Sequence, residues 1–333
     1  MLQRGSSIIN KGMLPRIFAS ILLLTAYLLL GGCPAATEPP LRLGTNLWIG
    51  YEPFYLARER DALAADKVRL IEYPSSMPVI DAMRNGLIDA AALTLDESIA
   101  LQQQVRDVRL VAVLDISAGA DMLLAKPEIR NLADLRGQRV AVENLATGAY
   151  LLMRALQSAG LSTREVTIEP LSADQHEAVM LRGEVAAIVT YQPIASRLIG
   201  RGYQRLFDSG QIPGEIIDVL AVRERTLREQ PRQLAYLLQS WRIGLQHLQR
   251  NRQQAIRQMM PRQRLSPEQI ASVLNELQFP APEQAAAMLK PGSTLTTAES
   301  RLRQHMLQSG LLPVGQTILP LRLDPQWLRV RSP

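Results

Sequence analysis

The sequence predicts an α/β fold of two similar domains with a cleft between them, and three observations carry that prediction. Short apolar, β-branched runs alternate with segments of helical spacing from residue 41 to about 222, the order that builds sheets flanked by helices. The chain's 333 residues suffice for two cores of ordinary size. A weak internal repeat is the third. Arg84-Asn85-Gly86-Leu87-Ile88-Asp89-Ala90 ends a helix at a glycine and opens a strand that finishes at Thr94; Arg182-Gly183-Glu184-Val185-Ala186-Ala187 does the same and finishes at Thr190. Glycine suits both helix ends because it tolerates the left-handed conformation there.

Leu41 to Thr45 reads as a first strand, followed by a helix through Phe54, Leu56, Ala57 and Leu63. Val68 to Tyr73 is a second strand, and Pro74-Ser75-Ser76-Met77-Pro78 opens a helix to Asn85. Ile88 to Thr94 is a third strand; Asp96 and Glu97 start a helix to about Gln104; Val108 to Asp115 is a fourth strand. This βαβαβ order predicts a parallel sheet with helices on both faces. The same grammar restarts after Met122 to Lys126, with strands near 139–143, 166–171 and 185–190, then Leu206-Phe207 and the return Ile216 to Val222. Beyond Arg223 the spacing is helical, over 229–250, 252–259, 266–277, 282–289 and 296–308. Leu321 to Leu323 and Trp327-Leu328 are too short to assign.

The amino terminus follows a different plan. Arg4, Lys11 and Arg16 form a basic leader, and Ile17 to Leu30 is an apolar run shorter than the ~20 residues a spanning helix needs. It ends in Leu30-Gly31-Gly32-Cys33, which resembles a bacterial lipobox. Residues 1–32 are therefore expected to be a lipoprotein signal peptide, Cys33 the lipidated residue and 33–40 a tether. One cysteine allows no internal disulfide. Charge is uneven: residues 33–220 carry 18 Lys and Arg against 24 Asp and Glu, and residues from 221 onward carry 16 against 7. The basic part has neither interleaved aromatics nor a nucleic-acid motif, so it reads as a solvated face and no nucleic-acid partner is expected.

Catalytic signatures are missing. There is no Gly-x-Ser-x-Gly, Gly-x-x-x-x-Gly-Lys or His-Glu-x-x-His, and His176, His247 and His305 fall on separate elements at no metal-ligand spacing. No enzyme, metal or cofactor is expected.

The stretch from Arg139 to Gln157 bears most directly on function. Arg139 to Glu143 reads as a buried strand, Asn144 to Gly148 as a turn, and a helix begins near Thr147. A strand feeding a helix N-terminus leaves outward-pointing N–H groups that suit an anion or acceptor.

Trp48-Ile49-Gly50-Tyr51-Glu52-Pro53-Phe54-Tyr55-Leu56-Ala57 resembles the opening of solute-binding proteins of the nitrate, taurine and sulfonate ABC-importer family, relatives of which bind thiamine pyrimidine precursors. Asn131-Leu132-Ala133-Asp134-Leu135-Arg136-Gly137 is similar to that family's entry into its second domain, Thr190-Tyr191-Gln192-Pro193 to a turn, and Phe207-Asp208-Ser209 with Ile212-Pro213-Gly214 to a return loop. Gln192 and Ala186 depart from the acidic residues usual there. The resemblance implies a two-domain type II periplasmic-binding-protein fold with a ligand cleft and extra C-terminal helices. Domain one would span 41–124 and 219–333, and domain two 127–216. It also implies a monomeric receptor delivering a small-molecule ligand to an ABC permease and ATPase, held at the membrane by lipid. A sensor for a membrane signalling protein, or an enzyme on the same fold, are the alternatives.

In such folds ligands sit where strands lead into helices. Those turns supply Trp48, Tyr51, Glu52, Ser75, Ser76, Thr94, Asp96, Glu97 and Asp121 from the first half. From the second come Glu143, Asn144, Thr147, Gly148, Tyr150, Asp174, Tyr191 and Gln192. Four of the 15 aromatics fall here, able to sandwich a planar ring or hold a cation. Glu52, Asp96, Glu97 and Asp121 gather acid on one wall, and no Lys or Arg stands at any of these turns. The expected ligand is an amine-bearing zwitterion or sulfonate, or an aminopyrimidine, over a simple oxyanion.

Overall fold

In the computed structural model residues 38–143, 146–312 and 319–328 are described. Every element below belongs to the unit Pro40–Pro333. The leader, Cys33 and Asn144 lie outside the described residues.

Eleven strands are described: β1 (Leu41–Asn46), β2 (Val68–Tyr73), β3 (Ala90–Thr94), β4 (Val108–Ser117), β5 (Asp121–Ala125), β6 (Arg139–Val142), β7 (Thr167–Pro170), β8 (Ala187–Tyr191), β9 (Gln204–Asp208), β10 (Ile217–Arg223) and β11 (Leu277–Gln278). They form two sheets, ordered β11-β4-β10-β3-β1-β2 and β7-β6-β8-β5-β9. Apart from the short β11 the two share one plan. Three parallel strands are followed by one antiparallel strand, β10 or β5, and then by an edge strand. Each antiparallel strand is the one by which the chain enters that sheet from the other. The internal repeat is therefore structural: Gly86 and Gly183, both with φ near +70° (69° and 71°), close the helices Ser76–Arg84 and His176–Leu181 ahead of β3 and β8.

Two expectations need correction. The sheets are mixed, not purely parallel, because β5 and β10 run against their neighbours. Residues up to 124 were assigned to domain one, yet Asp121–Ala125 pairs with β8 and β9 in the second sheet. The chain crosses between sheets at 118–120 and again at 209–216.

Each parallel strand leads into a helix at the same edge. β1, β2 and β3 feed Glu52–Glu59, Ser76–Arg84 and Leu95–Gln104; β6, β7 and β8 feed Ala146–Ser158, His176–Leu181 and Ile194–Ile199. The strands are apolar because helices cover them: β5 is buried along its whole length, and β10 along all but its last residue. Beyond β10 come six helices, of which Pro231–Arg250 is the longest. The helix expected over 229–250 is Pro231–Arg250, with Pro231 at its first position, and a short helix, Glu224–Glu229, precedes it. Leu323 makes an isolated bridge to Leu110 of β4. Among the described residues no helix is long and apolar enough to cross a membrane.

The helix Pro231–Arg250 packs on Glu52–Glu59 at very short range. The Phe54 and Trp241 rings lie 4.5 Å apart, and a Cβ at Gly244 would fall 1.8 Å from the Pro53 carbonyl oxygen. Gly244→Ala must push these helices apart, so it is expected to cost about 2 kcal/mol despite alanine's better helix propensity. Urea unfolding would measure it; an unchanged midpoint would show that the helices separate freely.

Candidate functional site

The helix-facing ends of both sheets meet across a pocket with about 560 Å³ of space between its lining side chains, part of it open to solvent. Asn46, Trp48, Tyr51, Ser76, Thr94, Glu97 and Asp218 line it from the first sheet's elements. Asp121, Glu143, Thr147, Gly148, Leu151, His176, Val189, Thr190 and Tyr191 line it from the second. No Lys or Arg is among these residues.

The aromatic wall is fixed by hydrogen bonds. Tyr191 stands edge-on to Trp48, ring centres 5.8 Å apart at 80°, and its hydroxyl accepts from Asn46 Nδ2 at 3.2 Å. Trp48 Nε1 donates to the Asp115 carboxyl at 3.3 Å, and the Tyr51 hydroxyl donates to Asp218 Oδ1 at 2.5 Å. Asp115 and Asp218 face each other across β4 and β10. Two buried acids placed side by side each make it harder for the other to ionise.

Every acid here is held towards its neutral form by burial. That effect pushes Glu97 up to about 8, where the charges of Asp96 and Glu143 add to it. It pushes Asp115, Asp121 and Glu143 up to about 7, and Asp218 well above its ordinary value. Burial acts oppositely on His176, lowering it to about 4, so the ring is neutral. Its Nδ1 lies 3.2 Å from Thr190 Oγ1.

Most of these groups are satisfied within the protein. Glu97 closes a capping box with Thr94 at the start of Leu95–Gln104, as its place three residues after the capping threonine allows, and still lines the pocket. Two polar atoms differ. Asp121 Oδ2 and His176 Nε2 are buried on the pocket wall with no hydrogen-bond partner among the described residues.

Of the residues expected to line the cleft, Trp48, Tyr51, Ser76, Thr94, Glu97, Asp121, Glu143, Thr147, Gly148 and Tyr191 do so. Ser75 and Asp96 stand just behind the wall. The Ser75 hydroxyl accepts from Ser172 Oγ at 3.0 Å, and Asp96 Oδ2 accepts from the Thr147 hydroxyl at 2.8 Å. The helix start at Thr147 therefore faces a carboxylate of the other sheet, not an open anion seat. Three residues turn elsewhere. Glu52 is buried against Arg262 and Gln263, with Arg262 Nε donating at 2.9 Å. The Tyr150 hydroxyl donates to Glu215 Oε2 at 2.5 Å, and its ring packs on His305. Gln192 donates to Glu276 Oε2 at 3.1 Å and accepts from the Ser196 N–H. Asn46, Leu151, His176, Val189, Thr190 and Asp218 are pocket residues that sequence reasoning passed over. A lone aspartate inside Ile217-Asp218-Val219-Leu220 was the one available signal.

The arrangement can hold a planar or aliphatic group against aromatic side chains and, once an acid ionises, neutralise a positive charge. Among the described residues no group of three or more His, Cys, Asp or Glu could hold a metal ion.

Comparison with known proteins agrees with this architecture. The chain is 27% identical over 146 residues, 43% of its length and 46% of the relative's, to the putative aliphatic sulfonates-binding protein of Escherichia coli K12. To the taurine-binding periplasmic protein of the same strain it is 25% identical over 197 residues, 56% of its length and 61% of the relative's. It thus spans less than two thirds of either relative. Among solved structures, the alkanesulfonate-binding protein of Xanthomonas axonopodis pv. citri bound to MOPS superposes with a TM-score of 0.71 at 21% identity, over 84% of this chain and 96% of that one. The nitrate-binding protein of Synechocystis PCC 6803 gives 0.68 at 13%, over 86% and 84%. Likeness at these identities establishes the fold, that of periplasmic binding proteins. A family model matching residues 35–260 takes in ten of the eleven strands and the whole pocket, and on that match the chain belongs to the NMT1-like family.

Proposed function

We propose that the protein is a solute receptor that captures a small amine-bearing molecule between its two lobes and delivers it to an ABC permease and its ATPase. The observation that carries this reading is Asp121 Oδ2, buried and without a partner among the described residues, in a pocket with aromatic walls and no Lys or Arg in its lining. A buried carboxyl oxygen with nothing to accept from is costly unless a ligand supplies the donor. A protonated amine, an amidine or an aminopyrimidine ring fits that need; an inorganic oxyanion does not. The names of the curated relatives support transport of a small polar solute. Closure would be a hinge motion at the two crossings, 118–120 and 209–216. The leader and Cys33 support an extracytoplasmic, lipid-anchored location, periplasmic as in the relatives' names.

A thermal-shift panel tests the ligand class. Aminopyrimidines and small primary amines are expected to raise the melting temperature, by about 2.7 kcal/mol of stabilisation at a hundred times the dissociation constant. Nitrate and bicarbonate should leave it unchanged. A panel in which only the inorganic anions stabilise would overturn the reading.

A further inference from the structure

We propose that Glu143 is a counter-anion built into the cleft, seated where an oxyanion would have to bind, and that it makes the site select cationic groups against sulfonates. The inference rests on the pocket being a ligand site and deepens it by naming the residue that refuses one class of ligand.

The helix Ser76–Arg84 starts at the pocket, and its first-turn N–H groups need acceptors. Ser75, the residue placed to cap it, makes no side-chain cap bond, and Pro78 has no N–H to offer. Ser76 N donates instead to Glu143 Oε1 at 3.2 Å, a side chain 67 residues away at the end of β6. The Met77 N–H and the Ser75 hydroxyl also favour the ionised form of the same carboxyl, which is only 6% exposed. Two backbone donors and a hydroxyl at a helix N-terminus are the usual furniture of a sulfonate or phosphate site. Here the opposite lobe fills it with a carboxylate of its own. Across the same cleft the hydroxyl of Thr147, in the first turn of Ala146–Ser158, donates to Asp96, so a carboxyl of the first sheet's elements stands beside that helix start as well. A sulfonate would meet Glu143 directly, with Glu97 and Asp174 close behind it.

That the pocket awaits a ligand of the opposite sign has separate support. Asp121, 6% exposed, aims an unpartnered oxygen into it from β5, a strand that makes no part of the Glu143 cluster.

Titration calorimetry with methanesulfonate at pH 8, where Glu143 is largely ionised, tests the assignment. Wild-type protein should not bind it measurably. Glu143→Ala, which empties the seat, should gain affinity for methanesulfonate by about tenfold or more, the scale of a helix-terminus charge interaction. Glu143→Gln keeps the shape and removes the repulsion, so it should gain less but in the same direction; it decides the matter alone if the alanine variant does not fold. Equal methanesulfonate binding by wild type and the variants would overturn the proposal, as would folded variants that gain none. The two readings fail separately. Wild type indifferent to every amine, beside a variant that gains methanesulfonate, would sink the cation reading and leave the seat.

Discussion

Asp121→Asn is expected to weaken binding of an amine ligand about a hundredfold while raising the melting temperature of the ligand-free protein at pH 8. The two halves of this result have one cause. With ligand present, the carboxylate and the amine form a desolvated charge pair, and truncating one partner of such a pair costs about 2–5 kcal/mol. Without ligand, Asp121 Oδ2 has no partner among the described residues, and ionising the group inside the closed pocket is unfavourable. The amide has the same shape and no charge to desolvate, and the Ser117 contact that steadies Asp121 can persist. Function and stability should therefore move in opposite directions, as they do where a site stores strain for its ligand. Calorimetry for affinity and calorimetric melting for stability would read both. A variant that binds amines normally would remove Asp121 from the site; one that binds weakly and also melts lower would make it a structural residue.

Ten of the seventeen turn residues read from sequence line the pocket, and the reason lies in topology. In a sheet whose strands run parallel into helices, the strand ends and helix starts gather at one edge. Trp48, Thr94, Glu143 and Tyr191 follow from that rule alone. It could not find Asp218, which sits at the opposite end of its own strand because β10 runs backwards. Nor could it find Asp115, placed beside Asp218 by a pairing between residues 103 positions apart. Tyr150 failed for a local reason. One residue around a helix is about 100°, so Leu151 faces the pocket while Tyr150 faces Glu215 and His305. Glu52 failed for a distant one, since its partners Arg262 and Gln263 end one helix, Arg252–Gln263, whose docking no local pattern encodes. The acidic character of the cleft was legible because it needed only residue types at turns. The neutral state of those acids was not, because it depends on depth.

That neutral state sets the largest expected effect of solution conditions. Ligand-free protein should lose stability steadily between about pH 6 and pH 8. Glu97, Asp115, Asp121, Glu143 and Asp218 are all raised in the folded state above the values of 3.8 or 4.5 they have when exposed. Over that window the folded chain binds more protons than the unfolded one, so stability falls with rising pH. What these groups contribute is fully present below their unfolded values near 4 and is lost as pH climbs through about 7 to 8. His176 works against them over a lower range. Its folded value of about 4 lies below 6.5, so its contribution grows as pH rises from 4 and is complete near 6.5. The exposed acids with lowered values, Glu165, Glu184, Glu224 and Glu268, matter only below their ordinary range near 4.5. Above pH 6.5 the buried carboxyls therefore act almost alone. An amine ligand must find its carboxylate ionised, so binding should release protons and tighten as pH rises, by up to about tenfold per unit for each proton released. Melting curves across the range, with titrations in two buffers of different ionisation enthalpy to count protons, would show both trends. A melting temperature that climbs from pH 6.5 to 8, or amine binding that takes up protons, would mean the cleft holds its acids ionised.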